Sequence, residues 1–173
     1  IDRWEGDEGV YLLVSDYKSS HRDIDPTRLW YGLQLQLLLY LQAACEGLDG
    51  NPAGAFYFTL KDPMVDTADV KEAAEKAIAK KLHLKCIVLA DVDVVEALDS
   101  EPGYSFTKIF NADSSVASSS DGYTPEEMAA LLAHAKKMAA ELADRIRSGE
   151  ITPSPALISD WNACQWCDCA GVC

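Results

Sequence analysis

Val10-Tyr11-Leu12-Leu13-Val14-Ser15-Asp16-Tyr17-Lys18 is an apolar, β-rich run that ends in charge. A run of this composition, bounded by turn formers, reads as a buried strand. Its body belongs inside a sheet, and Asp16 and Lys18 stand where the strand leaves it. Two residues apart on a strand, their side chains project from the same face. A carboxylate in such a place can hold a hard divalent cation, and an ammonium beside it can orient a water or help deprotonate it. Phosphodiester hydrolysis needs these parts. Alone, D-x-K is a weak signal, because a solvated strand end reads the same way.

Working outward, Gly6 and Gly9 punctuate an acidic turn before the run, which makes Ile1 to Trp4 the preceding strand of a hairpin. Downstream, Asp25 as N-cap and Pro26 at the first position open a helix predicted to reach about Glu46 and close near Gly47. Within it, LQLQLLLYLQ places Gln34 and Gln36 in apolar surroundings, where an amide is costly unless it finds a partner. Gln36 and Tyr40 are four apart and share a helix face. They are in reach of a polar site at the strand exit, although an exposed helix side accommodates the same residues.

Ala55 to Leu60 reads as a strand entered through a turn at Asp49 to Gly54. Val65 to Lys81 has a helical stripe in Val70, Ala73, Ala74, Ala77 and Ile78. Cys86 to Ala90 and Tyr104 to Phe110 read as strands, Val92 to Leu98 as a short helix, and Asn111 to Gly122 as a loop. Thr124-Pro125-Glu126-Glu127 is a capping box opening a long helix that should stop at Gly149. Met128, Leu131, Leu132, Ala135, Met138, Leu142 and Ile146 form its expected buried face. There is no internal repeat, and the alternation of elements predicts a mixed α/β domain.

With 173 residues, 49% hydrophobic and 25% charged, the composition is that of one globular domain with a sizeable core. The longest apolar-rich stretch, Leu29 to Cys45, is interrupted by Gln34, Gln36 and Gln42, so no membrane span is expected. No signal peptide is read either. A net charge of −13 runs against simple nucleic-acid binding, which needs Lys and Arg for phosphates. No G-x4-G-K-[ST] loop occurs, so ATP use is not expected of this segment.

Six cysteines are present. Cys45 and Cys86 lie in apolar stretches and read as small core residues. Cys164, Cys167 and Cys173 give C-x2-C-x5-C, with Cys169 as an extra thiol. Close thiolates of this kind bind zinc or an iron–sulfur cluster, and disulfides are the other reading, with no secretory signal to favour them.

Taken in order, IDRWEGDEGVYLLVSDYKSS, RLWYGLQLQLLLYLQAA, PAGAFYFTLKDPMVD, LKCIVLADVDVVEALD and ACQWCDCAGVC cover nearly every segment of the chain. Together they resemble the C-terminal nuclease domain of the B subunits of AddAB helicase–nucleases, bacterial enzymes that resect broken DNA ends. The resemblance implies a PD-(D/E)XK restriction-endonuclease-like core over 1–155, a central mixed sheet flanked by helices, and a cysteine-rich iron–sulfur segment over 156–173. It implies that Asp16 binds metal, that Lys18 is catalytic, and that Gln36 and Tyr40 form a Q-x3-Y element near DNA; Gln34 is the other glutamine available to that element.

The implied activity is Mg²⁺-dependent deoxyribonuclease (exonuclease) action in the cytoplasm, in double-strand break repair and recombination. The implied partners are DNA and an AddA-type helicase–nuclease subunit, with ATP bound elsewhere in the B subunit. Cys164, Cys167 and Cys173 match three ligands of a [4Fe–4S] cluster, whereas Cys169 matches none. A further metal-binding Asp of the family falls three residues before Asp2 by this alignment, and the fourth cluster cysteine falls far upstream. By themselves the 173 residues are therefore expected to be nearly inactive and to assemble no intact cluster. Two other readings stay open: a non-catalytic DNA-binding or scaffold module clamped by a cluster, and a zinc-binding interaction domain.

Overall fold

The computed structural model describes residues 1–61, 77–78, 81–99, 105–158 and 161–171. A hairpin opens the chain. β1 (Asp2–Gly6) pairs antiparallel with β2 (Gly9–Lys18), and Gly9 supplies the left-handed backbone, φ 124°, that its tight turn requires. β2 then pairs parallel with β3 (Asn51–Thr59), β3 antiparallel with β4 (Lys85–Leu89), and β4 parallel with the short β5 (Gly122–Tyr123). The result is a five-stranded mixed sheet in the order β1-β2-β3-β4-β5.

A parallel β2–β3 pair demands a crossover, and α1 (Pro26–Trp30) and α2 (Gln36–Leu48) supply it. The sequence predicts one helix here, and the structure shows two. Gly32, at φ 77°, closes α1 with paired bonds from Gly32 N to Leu29 O (3.1 Å) and from Leu33 N to Arg28 O (2.8 Å). That is a Schellman end, and it stops the helix despite the apolar run continuing through it.

Pleat alternation divides the core between the two sheet faces. On one face Leu12, Val14, Ala55, Ile87 and Leu89 meet Leu37, Leu38 and Leu41 of α2. Met128, Leu132 and Ala135 of α4 (Pro125–Arg147) complete that layer. On the other face Phe56, Cys86 and Val88 meet Val95 of α3 (Val92–Leu98), Phe106 and Ile109.

α4 carries the expected capping box, and its end at Ser148 is followed by Gly149 at φ 77°. Ile146, expected on its buried face, is 76% exposed, because nothing covers the helix's last turn. Asn51 to Gly54, read as a turn, belongs to β3; a register shift beside Leu12 and Leu13 accommodates Pro52. Ser105 to Phe110 forms no regular strand, although Phe106 and Ile109 are buried there and the Asp99 carboxylate accepts from Ser105 N. The helix predicted over Val65 to Lys81 lies outside the described residues except at Ala77, Ile78 and Lys81, which are helical.

A second, small sheet pairs β6 (Leu157–Ile158) antiparallel with β7 (Trp161–Asn162). A 3-10 turn over Ala163–Trp166 follows, capped by the Asn162 side chain, which accepts from Cys164 N at 2.8 Å. No helix among the described residues is long and apolar enough to cross a membrane.

Candidate active site

Asp16 and Lys18 leave the sheet on the face that α2 covers, continuing the row Leu12 and Val14 begin. Their side chains meet: Lys18 Nζ is 2.7 Å from Asp16 Oδ2, with about a quarter or less of either side chain in water. Lys18 Nζ also reaches Gln36 Oε1 at 3.5 Å, and Gln36 Nε2 donates to the Tyr40 hydroxyl at 2.9 Å. The first turn of α2 thus aims an amide and a phenol at the end of β2. The parallel register sets Tyr57 of β3 beside Asp16, and Lys18 Nζ stands 5.4 Å above the Tyr57 ring. Burial pushes the Tyr57 phenol above its ordinary range, which keeps the ring neutral beneath the cation.

Gln34 does something else. Its Oε1 accepts from Asp25 N at 2.9 Å and its Nε2 donates to Asp23 O at 3.1 Å. It ties the α1–α2 connection to the segment before α1, which leaves Gln36 as the glutamine that meets Lys18.

Asp16 Oδ2 is shielded from solvent and has no hydrogen-bond partner; the nearby ammonium lies within ion-pair distance but not in hydrogen-bonding alignment. A buried carboxylate oxygen in that state is costly unless a cation completes it. Asp2 does not help, because it pairs with Leu13 and so faces the other side of the sheet. No cluster of three His, Cys, Asp or Glu side chains suited to a metal occurs among the described residues.

A cleft of about 600 Å³ opens from Lys18 and Gln36 towards Arg22, Arg28, Trp161 and Trp166. The Arg28 guanidinium lies 5.2 Å over the Trp161 ring, so the small second sheet sits against α1 at the mouth of the site. Neither arginine nor either tryptophan was singled out from the sequence. The signal available was the two arginines between Lys18 and Trp30 and the tryptophan inside Cys164-Gln165-Trp166-Cys167. Cys164 is half-buried and Cys167 and Cys169 are exposed, all three as free thiols. The Cys167 N to Cys164 O bond (3.2 Å) folds the first two onto one turn. Cys173 lies outside the described residues.

The profile of the PD-(D/E)XK nuclease superfamily matches residues 1–173. Over 96% of its length the chain is 32% identical to the B subunit of an ATP-dependent helicase/deoxyribonuclease of Alkaliphilus metalliredigens. The B subunits of the same name from Thermoanaerobacter sp. (strain X514) and Clostridium tetani are 33% and 34% identical over its whole length. The chain spans 15–16% of the length of these relatives.

Proposed function

Because the chain belongs to the PD-(D/E)XK nuclease superfamily, we propose that Asp16, Lys18, Gln36 and Tyr40 form the active site of a metal-dependent deoxyribonuclease domain within a helicase–nuclease B subunit. The observation that carries this reading is the Asp16 carboxylate, whose Oδ2 is buried and without a hydrogen bond at the end of β2. Such an oxygen fits one place in the shell of a hard cation such as Mg²⁺, which keeps several waters and uses one or two carboxylates with phosphate oxygens. When bound, the cation would polarise a phosphoryl oxygen. The β1–β2 register, carried on past Ile1, would set the position three before Asp2 opposite Asp16 on the same face. That is where the resemblance puts the family's other aspartate.

The chain's own groups would then divide the work. Lys18 Nζ, mobile on its stem, holds the attacking water and offsets charge developing on the phosphate. Gln36 fixes the direction of that ammonium, and Tyr40 fixes Gln36 in turn. The subunit names of the relatives support DNA as substrate and a partner subunit of the AddA type, acting at double-strand breaks. Cys164, Cys167 and Cys173 would hold three corners of a [4Fe–4S] cluster at the mouth of the cleft.

In a B subunit carrying this chain, Asp16→Asn should lower Mg²⁺-dependent cleavage of linear DNA by at least about 10²- to 10⁴-fold. The melting temperature should not fall. Unchanged cleavage would remove Asp16 from the mechanism. DNA binding by the unaltered protein with no cleavage under any divalent cation would favour the non-catalytic scaffold.

A further inference from the structure

The chain carries a net charge of −13, yet Lys18, Arg22 and Arg28 converge on one cleft, and no acidic side chain is among the described residues lining it. Local cationic charge on an acidic body concentrates a polyanion at that place and repels it elsewhere. Arg22 forms no ion pair with a described residue and is exposed. Arg28 lies 3.4 Å from Asp25, but that carboxylate is already engaged in capping Thr27 N and Arg28 N, and Arg28 Nε is buried without a hydrogen bond. These cations have capacity left for phosphate oxygens.

The aromatic side of the cleft is the second observation. Trp166 is 81% exposed on the 3-10 turn, which leaves its ring open to stacking. Trp161 is half-buried, with the Arg28 guanidinium 5.2 Å from its ring. A cationic track with aromatic faces along it is how proteins hold an unpaired strand, phosphates on the charges and bases on the rings. A paired duplex offers no base face along its length to such a platform.

We infer that this cleft is a single-strand subsite, in which a base stacks on Trp166 and Trp161 while Arg22 and Arg28 hold the flanking phosphates and feed the strand to Lys18. The inference rests on the nuclease reading for its direction towards Asp16, but strand binding itself needs no metal. Equilibrium binding in a chelator therefore tests it apart from cleavage.

The probes are fluorescently labelled oligothymidylate of about 12 nucleotides, an abasic strand of equal length, and the corresponding duplex. Tryptophan quenching by the thymidylate is expected. Trp166→Ala should weaken thymidylate binding by about 5- to 100-fold and leave the abasic strand nearly unaffected. Arg22→Ala should weaken both strands alike and lower the salt slope by about one. Trp161→Ala, which also loses the Arg28 contact, could loosen the small sheet, so the exposed Trp166 is the deciding position. Equal losses on thymidylate and abasic strands, or none with Trp166→Ala, would overturn the stacking subsite. Tight duplex binding that competes equally with the single strand would overturn it too. Strand binding with these signatures but no cleavage under any divalent cation would leave the subsite standing and remove the nuclease reading.

Discussion

Gln34 and Gln36 stand two residues apart in one apolar run, and sequence alone offers both to the same role. Their separation comes from what each amide can reach. Gln34 finds the backbone at Asp23 and Asp25, whereas Gln36, at the first turn of α2, finds Lys18 and Tyr40. Another polar residue attracts no notice in the sequence. Asp121 is half-buried beside β4, near Cys86 and Lys85, and burial raises its carboxyl above the ordinary carboxylate range despite Lys85, Cys86 and Thr107 pulling it down. The folded state therefore keeps this proton at a pH where the unfolded chain has lost it. That contribution to stability is complete below the unfolded value and is lost as pH rises through the folded one. Asp121→Asn removes the titration while keeping an acceptor for the Cys86 thiol. The variant should gain stability relative to the parent from about pH 4 upward, levelling off near neutrality. Urea titrations at several pH values measure it, and a difference independent of pH would show that Asp121 does not titrate in folding.

At the scale of elements, the break between α1 and α2 positions the site, since one straight helix from Asp25 could not aim both Gln36 and Tyr40 at β2 while Arg28 faces the cleft. Gly32 makes the break. Its φ of 77° suits glycine, and an added Cβ would come within 2.9 Å of Met138 Cγ on α4. Gly32→Ala should cost about 1–2 kcal/mol from the left-handed backbone alone, and the flexible methionine can yield to the methyl group. A chemical denaturation midpoint that does not move would mean the α1 end relaxes freely. This glycine also explains where sequence reading falls short. Apolar period carries the eye from Leu29 to Cys45, and a glycine inside such a period is compatible with a helix until its left-handed dihedral is known. β2, α3 and the start of α4 were legible because composition and capping agree there. Asn51 to Gly54 was not, because proline and glycine mark turns by default and only the partner strand reveals the irregular register that admits them. The D-x-K pair and its helix partner could be anticipated. The cleft's arginines and tryptophans could not, since they come from segments more than a hundred residues apart.

The whole molecule joins a well-packed five-stranded core to a hairpin whose strands are two residues each. A two-stranded hairpin is marginal in water even at greater length, so residues 156–171 need an organising centre beyond their own hydrogen bonds. Here the Arg28–Trp161 contact and the Asn162 cap are modest, whereas metal binding by thiolates couples directly to the folding of the segment that bears them. If Cys164, Cys167 and Cys173 are ligands, a B subunit carrying this chain should lose iron and sulfide on substitution of any one of them by Ser. Cys169→Ser should keep both, because a thiol two residues from Cys167 is poorly placed for another corner of the same cubane. Loss of the cluster should also open the chain to limited proteolysis after α4, while the sheet and α2, whose core lies elsewhere, keep their protection from amide exchange. Iron, sulfide and cleavage mapping on the same four variants read both effects. Zinc in place of iron would transfer the argument to a different metal. Undiminished iron in Cys164→Ser and Cys167→Ser would end it, since this turn would then have no part in holding the metal.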